Sequence, residues 1–344
     1  MNFCSDNVTP AHAKVLEALA AANRGPAMPY GNDDLTRSVE KRIAELFERD
    51  CAVLLVATGT AANVLALAGV VPPWGAIYCH PDSHIAQDEC GAPEFYTGGA
   101  KLVGVAGEHG KIAPAALAAA LEQAGAGVVH HVQPAALSLS QASEAGSVYT
   151  LAEIGALAEI AHLHGLAVHM DGARFANALV SLGCSPAEAS WRAGIDVLAF
   201  GATKNGCVAA EAVVVFDPAR AATLGFRRKR GGHLWSKMRF IAAQFDAYLA
   251  DDLWLANARH ANRMAAELAR GLAVLPGALL AHGVEANEIF VTLPELVVAG
   301  LEADGFRFYR WLGPGSTLVR LVAAFDTDPR DVAALLASAR RHAG

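Results

Sequence analysis

The stretch Asp196–Gly206, "DVLAFGATKNG", decides the fold. A short apolar run, Val197 to Phe200, ends in small residues and then presents a lone lysine, Lys204. An apolar strand that hands over to a small-residue turn is the signature of a buried parallel strand delivering a side chain to the sheet edge. Two readings of Lys204 stand at this point. It is a solvated lysine at a strand end, or it is an amine meant to react with a carbonyl. A lysine in a partly desolvated pocket gives up its proton more easily and becomes a nucleophile. Gly201, Ala202 and Gly206 leave room beside it for a flat ring.

Working outward, similar units repeat. "CAVLLVATGT" opens into the helical "AANVLALAGV", "GAIYCH" and "AKLVGV" are further short strands, and "LAEIGALAEIAHLHG" leads into "LAVHMDGAR". Strands separated by helices of this length imply βαβ units, a mostly parallel sheet and helices on both faces. From about Phe240 the texture changes to one long helical segment, then shorter strands and a closing helix. The expectation is an α/β protein with a large domain over residues 1–240 and a smaller α+β domain over 241–344. The first fifteen or so residues are candidates to pack on the small domain.

Bulk composition narrows the classes. The chain has 344 residues, 53% hydrophobic and 18% charged, which describes a globular protein with a large core. A formal net charge of −7 argues against nucleic acid or an anionic membrane surface as the main partner. No apolar run approaches the roughly 20 residues of a membrane span. The opening "MNFCSDNVTP" lacks a signal-peptide layout, so a cytoplasmic location is expected. The six cysteines are scattered and read as free thiols.

Three further motifs carry chemistry. "ATGTAAN", Ala57–Asn63, sits between a strand and a helix; Thr60 is placed to cap the helix, and helix N-termini attract phosphate. "HMDGAR", His169–Arg174, ends a strand at Asp171, which either caps a helix or holds a cationic ring nitrogen, with Arg174 offering its fork to an anion. Asp171 and Lys204 are one βαβ unit apart and belong to the same sheet edge. "FRRKRGGHLWSK", Phe226–Lys237, is a solvated charge run, an anion-binding loop or a subunit contact.

Taken in order with "FCSDNVTP", "YGNDD", "SHIAQDECGA" and "LVRLVAAFD", these stretches resemble the threonine aldolase and β-eliminating lyase group. These are pyridoxal-phosphate (PLP) enzymes of fold type I, with a seven-stranded, mostly parallel sheet in the large domain. The resemblance implies aldol cleavage of threonine, allo-threonine or phenylserine to glycine and an aldehyde; the alternative is a PLP-dependent β-elimination. It implies that Lys204 holds PLP as a Schiff base, Asp171 pairs with the ring nitrogen, and His84 stacks on the ring. Gly59 and Thr60 bind the phosphate with help from Lys229, and Arg174 is also counted among the cofactor-binding residues. Ser5, Tyr30, Arg174 and Arg320 contact the substrate. It makes His84 or His130 the proton acceptor, with the adjacent His131 a close rival, and assigns no metal. It also implies a homotetramer, a dimer of dimers, with Tyr30 and the basic loop near a neighbouring subunit. Two stretches depart from the group. Ser140 and Gln141 stand where many relatives carry Glu-Asn, and "GGHLWSK" lacks an arginine after the glycines, which leaves the last phosphate contact unassigned.

Overall fold

A computed structural model describes residues 1–344. Seven strands form the large sheet: β1 (Ala52–Val56), β2 (Gly75–Cys79), β3 (Lys101–Gly104), β4 (Gln133–Ser140), β5 (Ala167–Gly172), β6 (Val197–Gly201) and β7 (Glu211–Val215). Their order is β1-β7-β6-β5-β4-β2-β3. β2 to β6 run parallel, whereas β7 runs antiparallel to both its neighbours, β6 and β1. Strands β5 and β6 are buried at every position, as expected for a sheet covered on both faces.

Local chemistry sets the helix ends. Thr150 caps helix Leu151–Leu163 in a capping box with Glu153, and Gly165 at φ +76° takes the chain out of it. Helix Gly59–Val70 follows β1 directly. Its cap is Thr58, whose Oγ1 accepts from Ala61 N at 3.2 Å, rather than Thr60 as the sequence suggested. Thr58 stands one residue before the first helical position, where the cap belongs, and this leaves the Thr60 hydroxyl free.

The long helical segment beyond Phe240 is two helices, Arg239–Leu249 and Leu253–Ala273. Asp251 and Asp252 adopt φ of +51° and +54°, a left-handed step that no continuous helix accommodates. The second helix joins two apolar cores. Trp254 and Ala258 belong to the large core under the seven-stranded sheet, where Phe200 meets Phe47 and Trp254 edge-on at 5.7 Å. Met264 to Leu272 belong to a second core beneath β8 (Leu279–Leu280), β9 (Glu288–Thr292), β10 (Tyr309–Arg310) and β11 (Leu318–Val322). These four strands form an antiparallel sheet in the order β10-β11-β9-β8. Phe3 is buried in this second core, and its backbone pairs with Arg307 and Val322.

Close packing at the ends of β5 and β6 fixes the spacing of the residues that follow them. A Cβ on Gly201 would lie 2.8 Å from Ala173 Cα and 3.0 Å from Gly172 O, both backbone atoms. Gly201→Ala is therefore expected to cost about 1–3 kcal/mol by overpacking, read as a lower urea midpoint. Gly155→Ala, on an open helical position with nothing within 4 Å of its Cβ, should instead stabilise slightly. Equal midpoints for the two variants would refute this account of the strand ends.

Candidate active site

The carboxyl ends of the parallel strands, joined by the amino end of the reversed β7, surround one cavity of about 350 Å³. Gly59, Thr60, His84, Asp171, Arg174 and Lys204 all line it. A second cavity, about 550 Å³, adjoins it and shares His84, Arg174 and Lys204; Ser5 and Arg320 line that one. The sequence-derived residues thus fall into two groups around a common lysine.

Asp171 forms the floor. Its Oδ2 accepts from Asn63 Nδ2 at 2.8 Å and its Oδ1 from Ala173 N at 3.0 Å. Burial by itself would raise its pKa. The His84 and Lys204 charges, with the bonds from Asn63 and Ala173, overcome that and hold the carboxyl below its ordinary value. The same Asn63 amide donates to Glu89 Oε1 at 2.8 Å, and Glu89 Oε1 lies 2.9 Å from His84 Nδ1. One helix turn beyond the strand, a single asparagine therefore links the floor of the cavity to the histidine at its side. The Glu89 hydrogen bond pulls the His84 pKa above its usual value, against burial, with Asp171 and Glu144 adding to the pull.

Arg174, immediately after β5, is buried and anchored. Its Nε and Nη2 donate to Asp6 at 2.8 and 3.0 Å, and its Nη1 lies 3.1 Å from Glu288 Oε2. Burial opposes ionisation of Asp6, but Arg174 and Lys204 outweigh it and hold that carboxyl at about 2. Arg320 on β11 donates through Nε to Glu288 Oε1 at 3.1 Å and stacks 5.4 Å over the Trp311 ring. Asp6 from the N-terminal segment and Glu288 from the small sheet thereby hold both arginines at the junction of the two cavities.

Three expected residues do not join these cavities. His130 is exposed and precedes β4, whose opposite end, Ser140, lines the first cavity. Eight residues of strand separate the two ends by roughly 25 Å, so His130 and the equally exposed His131 sit at the wrong edge of this chain's sheet. Tyr30 and Lys229 are brought together instead, with Lys229 Nζ 4.6 Å from the Tyr30 ring centroid, on a surface outside both cavities. Sequence reasoning missed Asn63 and Glu89, although both lie inside quoted motifs. It also missed Glu144, pushed above the ordinary carboxyl value by burial and by Asp171, and the buried Glu211. No local pattern marks either glutamate.

Comparison with known proteins places this chain in a family. Residues 2–295 match the family model described as Beta-eliminating lyase. A low-specificity L-threonine aldolase of Pseudomonas aeruginosa is 43% identical over 327 residues, covering 95% of this chain and 93% of that protein. Another, from a Pseudomonas species, is 40% identical over 98% of this chain and 96% of its own length. Among solved structures, a threonine aldolase of Leishmania major superposes with a TM-score of 0.93 at 29% identity, covering 100% of this chain and 99% of that one. A serine palmitoyltransferase of Sphingomonas wittichii, 15% identical with a TM-score of 0.73, covers 99% of this chain and 86% of that one and shares the fold.

The His84–Glu89 contact is directly testable. Proton NMR should place the His84 midpoint above its ordinary 6.5, and Glu89→Gln should bring it down. A raised histidine pKa means that the pair stabilises the fold fully below the ordinary value and loses that contribution as pH rises through the raised one. An unchanged midpoint in the variant would remove Glu89 as the cause.

Proposed function

We propose that this chain, which belongs to the beta-eliminating lyase family and within it to the threonine aldolases, splits β-hydroxy-α-amino acids into glycine and an aldehyde with PLP as cofactor. The observation that carries the reading is the placement of Lys204 and Asp171 around one cavity, between the N-terminus of a 12-residue helix and the anchored Arg174–Arg320 pair.

The residues suit PLP on chemical grounds. The cofactor needs an amine for its aldehyde, an acid for its ring nitrogen and a cradle for its phosphate. Lys204 offers the amine. Asp171 is a buried carboxyl that its neighbours hold in the charged form, the condition for keeping a pyridinium protonated. The free N–H groups at Gly59 and Thr60 offer the cradle, and a Cβ on Gly59 would meet nothing within 4 Å. Bound there, PLP supplies an electron sink for the pair released when Cα–Cβ breaks.

Each protein group then has one task. Lys204 would hold the cofactor through its amine. Arg174 and Arg320 would grip the substrate carboxylate and so orient the bond at Cα that is to break; orientation of this kind is worth up to ~7–11 kcal/mol. His84 takes the β-hydroxyl proton. With Nδ1–H donated to Glu89, Nε2 is the free acceptor. Because an acceptor must be neutral, cleavage should rise with pH through the raised His84 pKa.

The test uses the protein with threonine, allo-threonine and phenylserine. Glycine plus aldehyde supports aldol cleavage, whereas a 2-oxo acid plus ammonia would replace it with β-elimination. Lys204→Ala should lose the visible absorbance of bound PLP and nearly all turnover. His84→Asn should keep the absorbance and lower kcat roughly 10²–10⁴-fold. Full activity in either variant would refute its assigned role. The same reading assigns the exposed Tyr30–Lys229 surface to a neighbouring subunit in a dimer of dimers. Light scattering should then give four times the 35.8 kDa chain mass, and a monomer would exclude that assembly.

A further inference from the structure

Glu211 is a buried carboxyl in the first cavity that the mechanism above does not use. Its position follows from the one strand that breaks the parallel order. Because β7 runs antiparallel, its first residue, not its last, reaches the active edge. Glu211 pairs with Val56 at the end of β1 on one side and with Gly201 at the end of β6 on the other. Those two strands run on into Gly59–Thr60 and into Lys204, so Glu211 stands between the phosphate cradle and the lysine.

The side chain lies on the face of the sheet that carries the cradle, with Thr203 as its hydrogen-bond partner. Cross-strand partners share a face, as do alternate residues along a strand. Val56, Val213 and Val215 all pack beneath helix Gly59–Val70 together with Ala61 and Ala62. Glu211 lies on that same face, under the first turn of the helix, and lines the cavity beside Thr58, Gly59 and Thr60.

We infer that Glu211 is a ligand of the cofactor phosphate, meeting it as the neutral acid and donating a hydrogen bond to it. The inference rests on the cofactor reading above and fills the contact that the arginine-free "GGHLWSK" loop leaves open. A carboxylate and a phosphate dianion sharing one water-poor cradle repel each other, whereas a carboxylic acid has a proton to give. The surroundings favour the acid. Lys204 is the cation facing Glu211 and Asp171 adds a second negative charge; Cys207 and Tyr248, raised chiefly by their own burial and further by the Glu211 charge, keep their protons. β1, β6 and the first helical turn contribute no ionisable group: Val56, Ala57, Gly201 and the hydroxyls of Thr58 and Thr60. Burial, against the pull of Thr203 and Lys204, pushes the Glu211 pKa up to about 7. A nearby dianion raises it further.

Binding phosphate above that pH therefore takes up one proton. The experiment compares PLP with pyridoxal, which lacks the phosphate, on the apoprotein between about pH 7 and 9, where the PLP phosphate is already a dianion. Ring contacts are common to both compounds, and the hemiacetal that pyridoxal alone closes is the same whichever protein is present, so comparing the ratio of affinities between the wild type and Glu211→Gln isolates the contact of Glu211 with the phosphate. In the wild type the PLP preference should fall by up to about tenfold per pH unit, the limit for one proton. In Glu211→Gln, whose amide donates at every pH, the preference should be flat and should exceed the wild type at the alkaline end. A flat wild-type ratio, or the same slope in Glu211→Gln, overturns the inference while leaving the cofactor reading intact. Failure of the wild type to bind either compound overturns both.

Discussion

A charged carboxylate kept out of water is the constraint on which this site depends. An isolated carboxylate in a protein interior is too costly to persist and takes a proton instead. Asp171 escapes that outcome because the parallel register brings partners to it: Ala173 N–H from its own turn, Asn63 from the helix after β1, and the His84 and Lys204 charges. The order β1-β7-β6-β5-β4 and the tight glycine contacts at the strand ends serve the same arrangement. The electronics proposed for the cofactor ring need that negative charge, so the topology of the sheet and the chemistry of the site are one requirement.

A second network ties the two cores together at the substrate side. Asp6, Arg174, Glu288 and Arg320 come from the N-terminal segment, the turn after β5, β9 and β11. Arg174 and Arg320 share the carboxylate of Glu288, and Asp6 holds Arg174 from the other side and accepts from Asn287 at 3.1 Å. Breaking one member of such a buried set leaves a charge without its partner, which costs more than the pair itself contributes. The arginines are held in place by the protein's own carboxylates, and the small sheet and N-terminal segment would share in the substrate recognition proposed for them.

What was legible in the sequence was what local pattern encodes. Apolar runs ending in small residues marked the strands, and the edge rule for parallel sheets put Asp171 and Lys204 together. Strand direction was not legible: "EAVVVF" reads the same whether it runs with its neighbours or against them, so Glu211 gave no sign that it reaches the active edge. The break at Asp251–Asp252 is a left-handed step that polar residues in a helical run do not announce. His130 is a different case. It precedes its strand while every cavity-lining residue on a parallel strand lies at the carboxyl end of that strand or beyond it, so the edge rule already argued against it, and family resemblance overrode that signal.

Four of the carboxyl groups in and around the two cavities differ in what offsets their burial. Asp6 receives two bonds from Arg174 and one from Asn287, and sits at about 2. Asp171 receives Asn63 and a backbone N–H and is likewise held low. Glu144 accepts one backbone N–H, from His84 at 3.2 Å, and is pushed up by burial and by Asp171. Glu211 has Thr203 and Lys204 to draw it down, yet burial prevails. The same burial that the neighbours of the two aspartates overcome raises the two glutamates, so the glutamates are the groups whose charge an incoming anion can shift.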